Sequence, residues 1–225
     1  MRALVVRASN DQRRQETPQP NVDDVVAQLR FYADRLDDSL AKADAYDESK
    51  QTRVEKDAAT VAALAALLSR HTADHAAKPH ATAMQRIAAD ILANHSDHAK
   101  AAAANAQLKR LLGDAKPTET QSAEAPSANA ERSAADTLTA DTTPMLMKQI
   151  RFVDNRLKRA ARDRAASAKL RSEVAGHSAT LAALAEPTAA NARHYGKTPE
   201  QQQRWRDHCR DMATAAANLN LAAHD

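Results

Sequence analysis

This chain of 225 residues has little of what sheets, tight turns and covalent cross-links require. It holds three glycines and one cysteine, and aromatic residues make up only 3% of the sequence. A single cysteine excludes an intrachain disulfide and any Cys-x-x-Cys motif. Strand-forming aromatic residues are scarce, whereas the abundant alanine favours long helices. We therefore expect an all-α protein.

The sequence also lacks a long apolar run. Residues 3–6 (ALVV) are apolar, but Arg7 interrupts them, so the run is too short for the hydrophobic region of a secretory signal peptide. No later segment approaches the apolar length of a membrane span. The chain as written predicts neither a signal peptide nor a transmembrane helix.

Two blocks of sequence occur twice, in the same order. Residues 28–36 (QLRFYADRL) recur as residues 149–157 (QIRFVDNRL), and residues 59–65 (ATVAALA) recur as residues 179–185 (ATLAALA). The two offsets are nearly equal, so one length change separates the matches. A period of about 120 residues indicates duplicated domains rather than a solenoid of short repeats.

Composition and apolar spacing divide the chain into four parts. Residues 1–20 are polar and read as a disordered lead-in, and residues 114–143, rich in Ala, Ser, Thr and Glu, predict a flexible linker. Residues 21–113 carry four apolar stripes at helical spacing, and residues 144–225 carry three. We expect two antiparallel up-down helix bundles in tandem, with the second bundle one helix short.

Local signals mark several helix ends. Asn21 is suited to cap the first helix, and Thr143 followed by Pro144 is a typical start for the first helix of the second repeat. Gly113 is a natural residue to follow a helix end, and Pro187 predicts the end of the second helix of the second repeat.

Charge is distributed unevenly although the formal net charge is only +3. Residues 148–171 contain nine bases and two acids, whereas the matching residues 23–57 contain six bases and ten acids. Opposite signs on equivalent helices suggest that the two repeats dock by complementary surfaces, an attraction that salt would weaken. The basic helix offers only Phe152 for stacking, so nucleic-acid binding is not expected.

Histidine pairs are the first candidates for chemistry. His71 and His75 are four residues apart, and His95 and His98 are three apart, spacings at which a helix face holds a divalent ion. No carboxylate completes a Glu-x-x-His ligand pair, and the stretch from His71 to His80 crosses a predicted helix end. We expect solvated polar histidines and no metal site.

His208 and Cys209 lie beside Trp205 on an apolar stripe. Neighbouring side chains of a helix point about 100° apart, so they do not form a Cys–His catalytic couple, and Cys209 is expected in the core. No Ser/His/Asp set, glycine-rich phosphate loop or paired carboxylates can be picked out. No catalytic residue is therefore predicted, and the chain is not expected to be an enzyme.

Three stretches resemble the tandem cytochrome c′-like proteins of bacteria, which are secreted four-helix bundles with covalently held haem. The resemblance covers most of residues 22–113 and 144–225. The stretches that carry it are residues 147–158 (MKQIRFVDNRLK), residues 175–185 (AGHSATLAALA) and residues 205–212 (WRDHCRDM), the last leading to Asn218.

The resemblance implies electron transfer, or binding of a small gas molecule, at the iron of a c-type haem in a periplasmic protein with a redox partner. It places the haem on a Cys-x-x-Cys-His motif in the fourth helix of each bundle. Repeat one ends at residues 111–113 (LLG) with neither cysteine nor histidine, and the chain stops where the fourth helix of repeat two would begin. No haem-binding or metal-binding residue can be carried over.

Two function hypotheses follow. The first is electron transfer through c-type haem by family resemblance, in which case this chain is a truncated form. The second is a haem-free helical interaction module, whose partner is another protein or a second copy of the chain meeting the incomplete second bundle. An incomplete bundle predicts partial exposure of its apolar stripes, represented by Ile150, Val153, Leu181, Trp205 and Met212.

Overall fold

A computed structural model describes residues 18–114, 138, 142–162 and 168–225 of the chain. In these ranges the protein is helical and forms no strand, which confirms the all-α prediction. None of the described helices is both long and apolar enough to cross a bilayer. The helices are α1 (Val22–Leu40), α2 (Glu48–Ser69), α3 (Ala81–Ala93), α4 (His98–Asp114), α5 (Thr143–Arg162), α6 (Ala168–Ala190), α7 (Ala192–Tyr195) and α8 (Pro199–Ala222), with 3-10 turns at Ala43–Ala45 and Lys78–His80.

Polar side chains fix where the helices begin. The Asn21 side chain accepts from the Asp23 backbone N–H at 2.8 Å, as predicted, and Asp47 accepts from the Lys50 N–H at 2.9 Å to start α2. Thr198 and Gln201 form a reciprocal capping box at the start of α8. These bonds satisfy first-turn N–H groups that have no partner inside a helix.

Pro187 does not end its helix, contrary to the prediction. α6 continues to Ala190 with the proline inside it. The Thr188 hydroxyl donates to the Leu184 carbonyl at 2.7 Å, and the Trp205 indole N–H donates to the Thr188 carbonyl at 2.9 Å. These side-chain bonds stabilise the last turn, where proline removes one backbone bond.

Gly113 likewise lies within α4, which ends at Asp114, so the prediction that it follows the end of the helix is wrong. The linker predicted for residues 114–143 falls almost wholly outside the described residues, as does the lead-in up to residue 17. Leu138 is an exception, because its side chain is fully buried.

The two repeats differ in how their helices close. In repeat one, residues 21–113, each helix contacts the next and α4 returns to α1, which makes a closed ring of four helices. In repeat two, residues 144–225, α6 packs against both α5 and α8, and the short α7 packs on α8. The open side of repeat two is covered by repeat one.

The larger of the two hydrophobic clusters in the described residues spans both repeats. α6 contacts α1 and α2, and α5 contacts α2 in return, a reciprocal pattern typical of a two-fold interface. The core includes Leu36 and Leu64 of repeat one, Leu146 and Leu184 of repeat two, and Leu138 between them. Complete burial of one leucine stabilises the fold by about 2 kcal/mol. The predicted boundary at residues 114–143 therefore does not separate two hydrophobic cores.

Shared packing also changes the expected exposure of repeat two. Val153 is 1% exposed and Leu181 is 6% exposed, so the predicted exposure of these two is wrong. They pack with residues of α6 and α8 in a second, smaller cluster. Ile150, Trp205 and Met212 are half-buried, in agreement with the prediction.

Candidate functional site

A groove lies where the two repeats meet, and we name it the inter-repeat groove. Its volume is about 520 Å³, within the range of small-molecule sites. It is lined by Phe31, Arg35, Ser49, Arg53, Lys56, Gln149, Phe152 and Arg156.

Helical spacing and the duplication together assemble this lining. Phe31 and Arg35 are one turn apart on α1, and Phe152 and Arg156 are one turn apart on α5. The two pairs are equivalent in the repeats. Because the repeats pack reciprocally, the same face of each first helix is presented to the same groove.

The guanidinium groups lie over aromatic rings. The central carbon of Arg35 is 5.7 Å from the ring centroid of Phe31, 5.5 Å from that of Tyr32 and 5.4 Å from that of Phe152. Arg156 is 4.9 Å from the ring of Phe152. Such cation–π contacts hold both arginines against the groove wall. Phe31 and Phe152 nevertheless stay 36% and 40% exposed, so part of each ring is open to a ligand.

The counter-charge in the groove wall is one buried carboxylate. Asp57 is fully buried, with Oδ2 3.1 Å from Arg35 Nε and 3.8 Å from Arg53 Nε, while its buried Oδ1 has no hydrogen-bond partner among the described residues. Burial raises the pKa of Asp57 to about 6, although both arginines oppose the rise. Lys56 and Arg156 form no ion pair with any described residue. Among the described residues, the four cations of the lining are therefore accompanied by a single carboxylate in direct contact.

The equivalent position in repeat two carries no carboxylate. Continuing the second sequence match back along the helix without a gap pairs Asp57 with His177 and Arg53 with Glu173. Burial lowers the pKa of His177, Arg156 lowers it further and Glu173 opposes them. The buried Nδ1 has no hydrogen-bond partner in the part of the chain that the structure describes. Arg156 thus faces a neutral imidazole where Arg35 has a carboxylate.

Hydrogen bonds between the repeats fix the floor of the groove. Gln149 Nε2 donates to the Tyr32 hydroxyl at 3.2 Å, and the Thr180 hydroxyl donates to Gln28 Oε1 at 3.1 Å. Gln28 and Gln149 are equivalent residues of the two repeats. Burial raises the pKa of Tyr32 to about 12, so its hydroxyl stays neutral. The first bond joins α5 to α1 and the second joins α6 to α1, so both bonds tie repeat two to the first helix of repeat one.

The predicted histidine pairs serve as structural hydrogen-bonding groups instead. His71 is buried, with Nε2 2.8 Å from the Pro20 carbonyl oxygen, so the expectation of a solvated side chain is wrong for it. His98 Nε2 lies 2.9 Å from the Leu40 carbonyl oxygen, anchoring α4 to the end of α1. Within the described ranges, no three His, Cys, Asp or Glu side chains come together as a metal-ligand set.

His75 and His95 likewise bond to the backbone. His75 Nδ1 accepts from the Ala77 N–H at 2.9 Å, and His95 Nδ1 lies 2.8 Å from the Leu92 carbonyl oxygen. The side chains of each histidine pair therefore hydrogen-bond to the backbone rather than to a shared ligand.

Cys209 is 6% exposed and packs in the core as predicted, whereas His208 is exposed and does not share its stripe. Burial raises the pKa of the Cys209 thiol to about 11, which keeps it protonated and a poor nucleophile. A c-type haem needs two reactive cysteines and an adjacent histidine ligand. This chain's one buried thiol and outward-facing imidazole do not fit that group.

No family model matches the chain, and neither a curated protein nor a solved structure matches it.

Of the groove residues, sequence reasoning had singled out only Phe152, as an isolated ring on a basic helix. The repeated Phe-x-x-x-Arg spacing was the available signal. It becomes informative only once the two repeats are known to pack reciprocally, because that packing brings equivalent residues together.

Proposed function

We propose that this chain is a haem-free, non-catalytic helical module that binds an anionic partner in the inter-repeat groove. The observation that carries the proposal is the unbalanced charge of the groove, where Arg35, Arg53, Lys56 and Arg156 surround one buried carboxylate. Guanidinium groups keep their charge and present several donors in a fixed plane, which suits recognition of oxyanions better than proton transfer.

Cytochrome c′-like ancestry belongs to the same proposal. It is supported by the duplicated helical unit and by the resemblance of the first, second and third helices of repeat two to that family. Since the single cysteine does not fit covalent haem, we read the resemblance as descent, and a periplasmic location would follow from it. Electron transfer through haem is then a property of the ancestor.

Pyrophosphate and spermidine provide the test, as a small polyanion and a small polycation measured by titration calorimetry. We expect pyrophosphate to bind and spermidine not to bind. Arg156→Gln should weaken pyrophosphate binding about tenfold, the effect of losing one charge-assisted hydrogen bond. Arg86→Gln is the matched control, because Arg86 is exposed on α3 and does not line the groove.

Equal affinity in both variants would place the bound anion elsewhere and overturn the proposal. Detection of covalently bound haem would also overturn the proposal. After co-expression with haem-attachment machinery, we expect an unchanged protein mass and no Soret band.

A further inference from the structure

We propose, building on the function proposed above, that the groove selects a small organic anion in which a doubly charged oxyanion is joined to a planar ring. The oxyanion would be held by Arg53, Lys56 and Arg156, and the ring would pack on the exposed parts of Phe31 and Phe152. An aryl phosphate is the simplest compound of this class.

The two phenyl rings indicate the ring-binding half of the ligand. A single exposed aromatic side chain on a protein surface needs no explanation. Here two equivalent rings, from helices of different repeats, line one concavity, and Arg35 is within 6 Å of both ring centroids. Asp57 holds Arg35 in place, so Arg35 forms a fixed boundary of the space between the two rings. A flat group can therefore lie along a preformed wall, with little ordering cost.

The charge balance favours a dianion over a monoanion. Asp57 lies 3.1 Å from Arg35 and 3.8 Å from Arg53, and neither Lys56 nor Arg156 has a carboxylate partner in the described part of the chain. Four cations and one carboxylate leave a surplus of three positive charges, which a dianion lowers to one and a monoanion only to two. Arg53 is 45% exposed and available for a further hydrogen bond.

The volume favours a small molecule over a protein segment. About 520 Å³ accommodates a ring and a phosphate but only a few residues of a peptide. An acidic peptide is the competing occupant, because it carries the charge without the ring.

Titration calorimetry on the intact chain separates these ligands, with phenyl phosphate, inorganic phosphate, phenol and tetraglutamate as probes. We expect phenyl phosphate to bind about tenfold more tightly than inorganic phosphate, and phenol not to bind. Phe152→Leu should remove most of that tenfold difference while leaving inorganic phosphate unaffected. Arg156→Gln should weaken both anions, and Arg86→Gln neither. Phe152 and Arg156 are surface residues, and an unchanged melting temperature will show that the variants fold.

The outcomes distinguish this inference from the function on which it rests. If phenyl phosphate and inorganic phosphate bind equally and both weaken in Arg156→Gln, the ring specificity is overturned and the anion-binding function stands. If tetraglutamate binds more tightly than phenyl phosphate, the ligand is an acidic peptide and the inference is wrong. If no anion binds, both proposals fail.

Discussion

The same position of the fold carries opposite chemistry in the two repeats. In repeat one a buried Asp57 pairs with Arg35, and in repeat two a half-buried His177 interacts electrostatically with Arg156. An assembly of two identical chains would hold two identical sites. Duplication within one chain lets the two sites diverge, so that Arg35 has a carboxylate partner and Arg156 has an imidazole neighbour.

The repeats also differ in how they complete their packing. Repeat one closes with α4, whereas the last turn of α8 in repeat two reaches the start of α1. The Asn220 side chain is fully buried there and accepts from the Asn21 N–H at 2.6 Å while donating to Asp24 at 2.7 Å and to the Ala175 carbonyl at 2.8 Å. Repeat one is thus closed by its own fourth helix, α4, whereas repeat two is closed by its contact with α1 of repeat one.

The largest effect should come from equivalent core leucines. Leu64 and Leu184 are both fully buried in the shared core, so replacing either by alanine should lower the free energy of unfolding by about 3 to 5 kcal/mol. Denaturant unfolding followed by circular dichroism should show one transition in each variant, because the core is common. Two transitions, of which Leu184→Ala shifts one and Leu64→Ala the other, would mean that the repeats unfold independently.

Asp57 and His177 should change the free energy of unfolding in opposite directions as pH rises. Burial raises the pKa of Asp57 from 3.8 to about 6, so between these pH values the folded protein binds a proton that the unfolded chain has lost. The free energy of unfolding should therefore fall by roughly 2 to 3 kcal/mol as pH rises through this window. The lowered pKa of His177 does the reverse: its contribution is lost in acid and regained as pH rises towards 6.5.

Unfolding measured from pH 4 to pH 7 checks both signs. Asp57→Asn should remove the fall and His177→Gln should remove the rise. Parallel curves for the wild type and Asp57→Asn would show that this carboxylate titrates normally.

A smaller effect is expected at the contact between the repeats. Asn220→Ala removes three hydrogen bonds and leaves buried groups unpaired, so unfolding should require about 2 kcal/mol less. Asn218→Ala, two residues earlier and exposed, should change stability by less than about 0.5 kcal/mol. Because alanine is the better helix former, helix propensity favours both variants; equal losses would show that the Asn220 contact is not the source of the effect.

Local features were predictable from the sequence, whereas the assembly of the repeats was not. Asn21 and the apolar stripes indicated the helices because capping and periodicity depend on residues close in the chain. Pro187 gave a wrong prediction of the helix end because the last turn of its helix is stabilised by Trp205, which lies on another helix. The groove was missed for the same reason, since Arg53 and Phe152 become neighbours only through the packing of one repeat on the other.

Gly176 leaves room for the end of the Gln28 side chain. A Cβ at this position would overlap the Gln28 amide, so any other residue here would displace that amide from the Thr180 hydroxyl that it accepts from. The equivalent residue of repeat one is Lys56, and the equivalent of Gln28 is Gln149, which donates to the Tyr32 hydroxyl instead. The two halves therefore touch through unlike contacts at like positions, so that exchanging one half for a copy of the other would not reproduce the joint.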